Sequence, residues 1–122
     1  YGGPRPLSEP ETQTVVDFTR RHNFRLVIAY HTQGRVIYWM YKGIAPPGAL
    51  QIARIFSSVS GYAISEVPFE AAYAGCKDWF IEQYGRPGYT IEAGIGRNPI
   101  SILQFDTIYR ANEEIMLLAP IV

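Results

Sequence analysis

Cysteine is almost absent from this chain. Cys76 is the only one, which excludes an intramolecular disulfide and any zinc site built on several thiolates. Histidine is nearly as scarce. His22 is followed three residues on by Arg25 and His31 by Gly34, so no His-x-x-Glu or His-x-x-His pair exists to start a metal site within one helix. An excess of charge of one sign is missing too. The 11 Lys+Arg balance the 11 Asp+Glu, which removes the composition-level case for nucleic acid or an anionic membrane as partner. No apolar run reaches the roughly 18 residues of a transmembrane helix, and no stretch of these residues is expected to act as a signal peptide. The opening YGGPRPLSEPET begins on Tyr1 rather than Met and reads as a loop running into a helix, as expected of a processed product or a piece of a longer chain.

What is there suits a core. The chain has 122 residues, 48% of them hydrophobic and 14% aromatic, enough for one compact domain or one part of a larger one. A helix is expected over 9–22, with Ser8 as cap, Pro10 in the first turn and Val15, Phe18, Thr19 and His22 on one face. Residues 24–30 form a continuous branched apolar run, which predicts a strand buried on both faces. A second strand follows over 35–41. After Pro46-Pro47-Gly48, the stripe Ala49, Ile52, Ala53, Phe56 and Val59 predicts a helix closed by Gly61. Residues 62–73 read as a long loop with one short extended piece, 76–84 as a short helix ending at Gly85, and 89–92 as a strand. Phe105, Ile108, Tyr109, Asn112, Ile115 and Met116 mark a last helix, capped by Ser101 and Gln104. The order is that of an α/β layer fold, without repeats or internal domain boundaries.

Few patterns carry chemistry. Gly94-Ile95-Gly96 lacks the third glycine and the acidic residue of a dinucleotide site, and Pro99 delays the following helix. There is no GxSxG elbow, and Cys76 has no obvious histidine partner. What remains is His31 and Glu92, each at the C-terminal end of an expected strand, where ligand clefts of α/β sheets open. A neutral imidazole ligates zinc, and a nearby carboxylate can take a proton from an activated water. The residues alone leave this open, since both side chains could equally serve internal hydrogen bonds.

Four stretches together carry a resemblance: GPRPLSEPETQTVVDF, AYHTQGRVIYW, AGCKDWF and YTIEAG. The chain resembles, from about residue 1 to 118, the C-terminal part of the zinc carboxypeptidase family. It is most similar to the bacterial branch that includes γ-D-glutamyl-meso-diaminopimelate peptidases acting on peptidoglycan peptides. The resemblance implies a three-layer helix–sheet–helix fold with a mixed sheet, the whole chain being the C-terminal portion of one catalytic domain. It implies that His31 matches the family's later zinc-binding histidine and Glu92 its general base; the interval of 13 from Trp79 to Glu92 fits the family spacing. The family's mobile tyrosine falls, ungapped, on Glu70, and Tyr73 takes its place only across a gap. Lys77, two residues before Trp79, matches the floor of the specificity pocket, where a lysine favours an anionic group such as the extra carboxylate of diaminopimelate. Thr32 and Gln33 are expected to line the same cleft.

The family's early His-x-x-Glu pair and its substrate-clamping arginines match nothing here. The expectation is therefore a Zn2+-dependent peptidase in the complete protein, acting on peptide or peptidoglycan-peptide substrates, with weak zinc binding and no turnover by this chain alone. Its unpaired strand edges could support a homodimer, which a concentration-independent monomer in sedimentation would contradict. The rivals are a peptide- or peptidoglycan-binding module without turnover, and a structural domain of the same fold. A bacterial source and a cell-wall context follow from the resemblance alone; the compartment, cytoplasmic or cell-envelope, does not.

Overall fold

The computed structural model describes residues 3–67 and 75–122. Its first element, helix α1 (Pro10–Arg21), opens with Pro10 at the first helical position and Glu9 as cap residue. Ser8 does not cap it: its hydroxyl donates to Glu9 Oε1 at 2.8 Å. The entry is held instead by Gln13, whose Nε2 donates to the carbonyls of Leu7 and Ser8. The buried face is also turned from the one expected. Val16 and Thr19 are buried, whereas Val15 and Phe18 are about half exposed. Phe18 lies against His22 and Phe24 in a surface cluster of rings, so its apolar character is used outside the core.

Four strands form one mixed sheet: β1 (Val27–His31), β2 (Val36–Tyr38), β3 (Ala63–Ser65) and β4 (Gly88–Glu92), in the order β1-β4-β2-β3. β1 runs parallel to β4, β4 antiparallel to β2, and β2 parallel to β3. β1 was expected to be covered on both faces. It lies instead at the sheet's edge, with Val27 to Ala29 half-buried and Tyr30 and His31 exposed. β2 stops at Tyr38, short of the expected Tyr41. The chain there folds into a tight turn in which Tyr41 and Ile44 exchange both backbone hydrogen bonds; Lys42 and Gly43, between them, take positive φ. β3 is the short extended piece expected in the long loop.

Two helices cover one face of the sheet. α2 (Ala49–Ser60) starts after Gly48 and stops at Gly61 as its stripe predicts, burying Ala49, Ala53 and Phe56. α4 (Phe105–Leu118) follows a single 3-10 turn (Ile102–Gln104), whose first amides Ser101 caps by accepting from Leu103 N–H. The core between them consists of Ile37, Ala53, Phe56, Tyr62, Tyr89, Ile91, Ala93 and Ile115. Its polar atoms are tied inward. Tyr89 donates its hydroxyl to the Ala49 carbonyl at 2.9 Å, and Asn112 Nδ2 donates to the Tyr62 hydroxyl and to the Ile108 carbonyl.

Helix α3 (Cys76–Tyr84) packs on the other face. Alternation along a strand explains the division of labour. Tyr89 and Ile91 point toward α2 and α4; Gly88, Thr90 and Glu92 point away. At Gly88 the approach of α3 is so close that a Cβ would meet Lys77 Cγ at 3.1 Å, Ile81 Cγ1 at 3.2 Å and the Lys77 carbonyl at 3.2 Å. The fold is thus three-layered, helices on both faces of a mixed sheet. Among the described residues no helix is long and apolar enough to cross a membrane.

This contact yields a test. In most strand interiors Gly→Ala is stabilising, by about 0.5–1 kcal/mol. Here Gly88→Ala should destabilise, by about 1–3 kcal/mol, because a backbone oxygen cannot move aside. Urea unfolding of the two proteins measures the sign.

Candidate active site

The parallel pairing of β1 with β4 aligns residue for residue: Val27 with Gly88, Ala29 with Thr90, and at the last rung His31 with Glu92. Cross-strand partners project to the same face, and neighbouring strands lie about 4.8 Å apart. Two residues separated by 61 positions in the chain, 31 and 92, are therefore brought side by side at the C-terminal edge of the sheet. They are on the face that α3 covers lower down. On the other side of Glu92 the rung continues to Val36 of β2. The carboxylate is thereby flanked by an imidazole and by an apolar side chain.

The two differ in exposure. His31 is open to solvent, while Glu92 is half-buried and its Oε2 is enclosed with no hydrogen-bond partner among the described residues. A buried acceptor without a donor is costly and uncommon. It is the kind of atom that a water, an ion or a substrate hydrogen satisfies. Tyr30, beside His31 in sequence, projects to the opposite face. Burial, reinforced by Tyr62, pushes its phenol up to about 12, so it stays neutral and offers no anionic ligand. Cys76 is exposed at the start of α3, and partial burial pushes its thiol up rather than down, the opposite of an activated nucleophile.

The rim is built from the turns that follow the two strands. Beyond the last rung, Ala93 N–H donates to the His31 carbonyl at 2.8 Å and Gly34 N–H to the Gly94 carbonyl at 2.9 Å. Thr32 and Gln33, expected to line the cleft, are both exposed on this turn. Thr32 donates its hydroxyl to Asn98 Oδ1. Gly94, weighed above as part of a phosphate loop, has φ +79° and no room for a side chain, since a Cβ would come within 2.7 Å of Ile100 Cδ1. Its role is to let the loop close over α4.

Lys77 is not at the surface. Only 2% of it is accessible. Its stem lies on Gly88, four residues or about 13 Å down the strand from Glu92 on the same face. Its ammonium donates to the Met40 carbonyl at 2.8 Å and to Asp78 Oδ1, with the Tyr41 ring 6.0 Å away. The pair is neutral as a unit. Tyr73 and Glu70 lie outside the described residues. Two residues of the site went unnoticed in the sequence reading as site components, Asn98 and Gln104; the turn dipeptide Asn98-Pro99 was the only local signal for the first. Among the described residues no cluster of three or more His, Cys, Asp or Glu could hold a metal by itself.

The family model for zinc carboxypeptidases matches residues 1–117. The chain belongs to the zinc carboxypeptidase family. It is 50% identical over 112 residues to γ-D-glutamyl-L-diamino acid endopeptidase 1 of Lysinibacillus sphaericus, covering 90% of this chain and 27% of that protein. It is 38% identical over 116 residues to the uncharacterized protein YqgT of Bacillus subtilis (strain 168), covering 95% of this chain and 31% of that one. The chain thus spans under a third of the length of both relatives. Its fold is shared with the crystal structure of carboxypeptidase A from Helicoverpa armigera, with a TM-score of 0.72 and 24% identity over 93% of this chain and 33% of that one. The mixed three-layer architecture expected from the sequence is that of the family.

The enclosed ion pair gives the second test. Lys77→Met strands the Asp78 carboxylate without its cation, and should destabilise by about 3–5 kcal/mol. Exchanging both, Lys77→Met with Asp78→Asn, should recover part of that loss. A denaturation double-mutant cycle reads the difference, and additive losses would contradict the pairing.

Proposed function

We propose that the complete protein is a zinc-dependent peptidase of metallocarboxypeptidase type. In this reading the present chain contributes one metal ligand, His31, and the general base, Glu92. The observation that carries it is the last rung of the β1–β4 pairing, an exposed imidazole beside a carboxylate with one enclosed oxygen that has no partner among the described residues. The donor set fits zinc in part: a neutral imidazole is a standard zinc ligand, but a catalytic site needs three protein ligands, so the others come from elsewhere in the complete protein. The isolated chain, with one imidazole, is expected to bind zinc weakly and to turn over no peptide.

Zinc, when bound, supplies a Lewis acid that polarises a scissile carbonyl and makes water more acidic. The chain's own residues supply the remainder. His31 presents its ring nitrogen from a backbone already fixed by the Ala93 N–H. Glu92 Oε2 accepts the proton of the attacking water and passes it to the departing amine nitrogen, while the hydroxyl joins the carbonyl carbon; the peptide bond breaks and the carboxylate is regenerated. Val36 stands beside Glu92 on the adjoining strand. Tyr73 is proposed as a phenol that donates to bound substrate.

The substrate class we propose is peptidoglycan-type peptides. The support is the 50% identity with a protein named as a γ-D-glutamyl-L-diamino acid endopeptidase. Of the three donors of the Lys77 ammonium, Met40 and Asp78 take two. Enclosed with Asp78, Lys77 has no open face for the substrate carboxylate that the resemblance assigned to it. Gln33, on the turn after His31, is proposed as a cleft contact; Thr32, also expected there, gives its hydroxyl to Asn98 instead.

Two variants of the complete protein test the roles. Glu92→Gln should lower kcat by about 10²–10⁴ with zinc content unchanged, and His31→Ala should release zinc under dialysis that leaves the parent loaded. Full turnover by Glu92→Gln would remove the carboxylate from the mechanism. Wild-type protein that binds zinc and peptide but cleaves nothing would make the domain a binding module.

A further inference from the structure

The loops around His31 and Glu92 are joined by side chains that no catalytic role requires. Asn98 is six residues beyond Glu92 and Thr32 is directly after His31. They grip each other twice: the Thr32 hydroxyl donates to Asn98 Oδ1 at 2.9 Å, and Asn98 Nδ2 donates to the Thr32 carbonyl at 3.1 Å. On the far side, Gln104 closes a second reciprocal pair. Its Oε1 accepts from Ile95 N–H at 3.0 Å and its Nε2 donates to the Ile95 carbonyl at 2.9 Å. A continuous chain of contacts therefore runs from the start of α4 through the 94–98 loop to the residue bonded to His31.

We infer that Asn98 is a positioning residue: through Thr32 it fixes the His31 imidazole against the Glu92 carboxylate. The inference rests on the proposed function. The physical need is plain. The sheet ladder stops just past the last rung, with Ala93 N–H on His31 and Gly34 N–H on Gly94. Loops at strand ends are mobile unless tied. Without the bracket residues 32–34 keep, among the described residues, only that Gly34 backbone contact. A metal ligand is useful only if its ring is held in place, and contacts outside the ligand set do that work. Because Thr32 and Asn98 are exposed, water replaces their hydrogen bonds at little net loss. Their effect should fall on the site and not on the fold.

The test uses the complete protein and three variants: Asn98→Ala, Thr32→Val and Thr32→Ser. Zinc dissociation constants are measured by competition with a chelator, kcat and KM on a peptide substrate, and amide hydrogen exchange at Gly34 and Ile91. Asn98→Ala and Thr32→Val should each weaken zinc about 10-fold or more, lower kcat with KM nearly unchanged, and speed exchange at Gly34 but not at Ile91. Thr32→Ser, which keeps the hydroxyl, should match the parent. Zinc affinity within about twofold of the parent in Asn98→Ala and Thr32→Val overturns the inference while leaving the proposed function intact. If Asn98→Ala does not fold, the contrast between Thr32→Val and Thr32→Ser decides in the same way. A parent protein that binds no zinc overturns the functional reading, and this inference with it.

Discussion

The site depends on one register. β4 is an inner strand, and its pairing with β1 sets where residue 31 stands relative to residue 92. A slip of one residue would turn the whole of β1 over and send the imidazole to the opposite face. Burial prevents the slip. Tyr89 and Ile91 are fully buried on one side of β4, the Tyr89 hydroxyl is anchored on α2, and Gly88 leaves no space against α3 on the other side. β1 then has no freedom of its own, because Leu26 and Ile28 must reach the same core. The core borders the candidate site in sequence, with Ile91 and Ala93 flanking Glu92, and it determines where the two side chains stand.

Polar groups in the molecule divide along the same line. Those in the interior are nearly all spoken for: Tyr89 on Ala49, Asn112 on Tyr62, Lys77 on Asp78 and Met40. Glu92 Oε2 is enclosed and has no such partner among the described residues. An enclosed carboxylate oxygen without a donor is unfavourable, and this one stands at a strand end on the rung of His31. Asn112 Oδ1, on the buried side of α4, shares the condition.

Much of this architecture was legible in the sequence, for reasons that particular residues make clear. α2 and α4 were readable because strong stripes, Ala49 to Val59 and Phe105 to Met116, meet unambiguous stops and caps. α1 was readable as a helix but not in phase. Its apolar residues serve two surfaces, Val16 toward the core and Phe18 toward His22 and Phe24, and periodicity cannot say which is which. The run before His31 reads as fully buried because continuity of apolar residues reports hydrophobicity, not the number of neighbouring strands. The end of β2 was lost to a tight turn at Lys42-Gly43 that carries no proline. The pairing of His31 with Glu92 was suggested by their places at the ends of two expected strands, and the resemblance gave them roles; that they share a rung is set only by the folded chain. Asn98 and Gln104 act across loops, through side-chain amides whose partners are set only by the folded chain.

The most direct test of the central claim is diffraction from crystals of the complete protein at the zinc absorption edge. The account predicts an anomalous peak about 2.0–2.1 Å from a His31 ring nitrogen, with the Glu92 carboxylate on the same side of the sheet and within one water's reach. A zinc peak ligated without His31, or a Glu92 side chain turned to the opposite face, would contradict it.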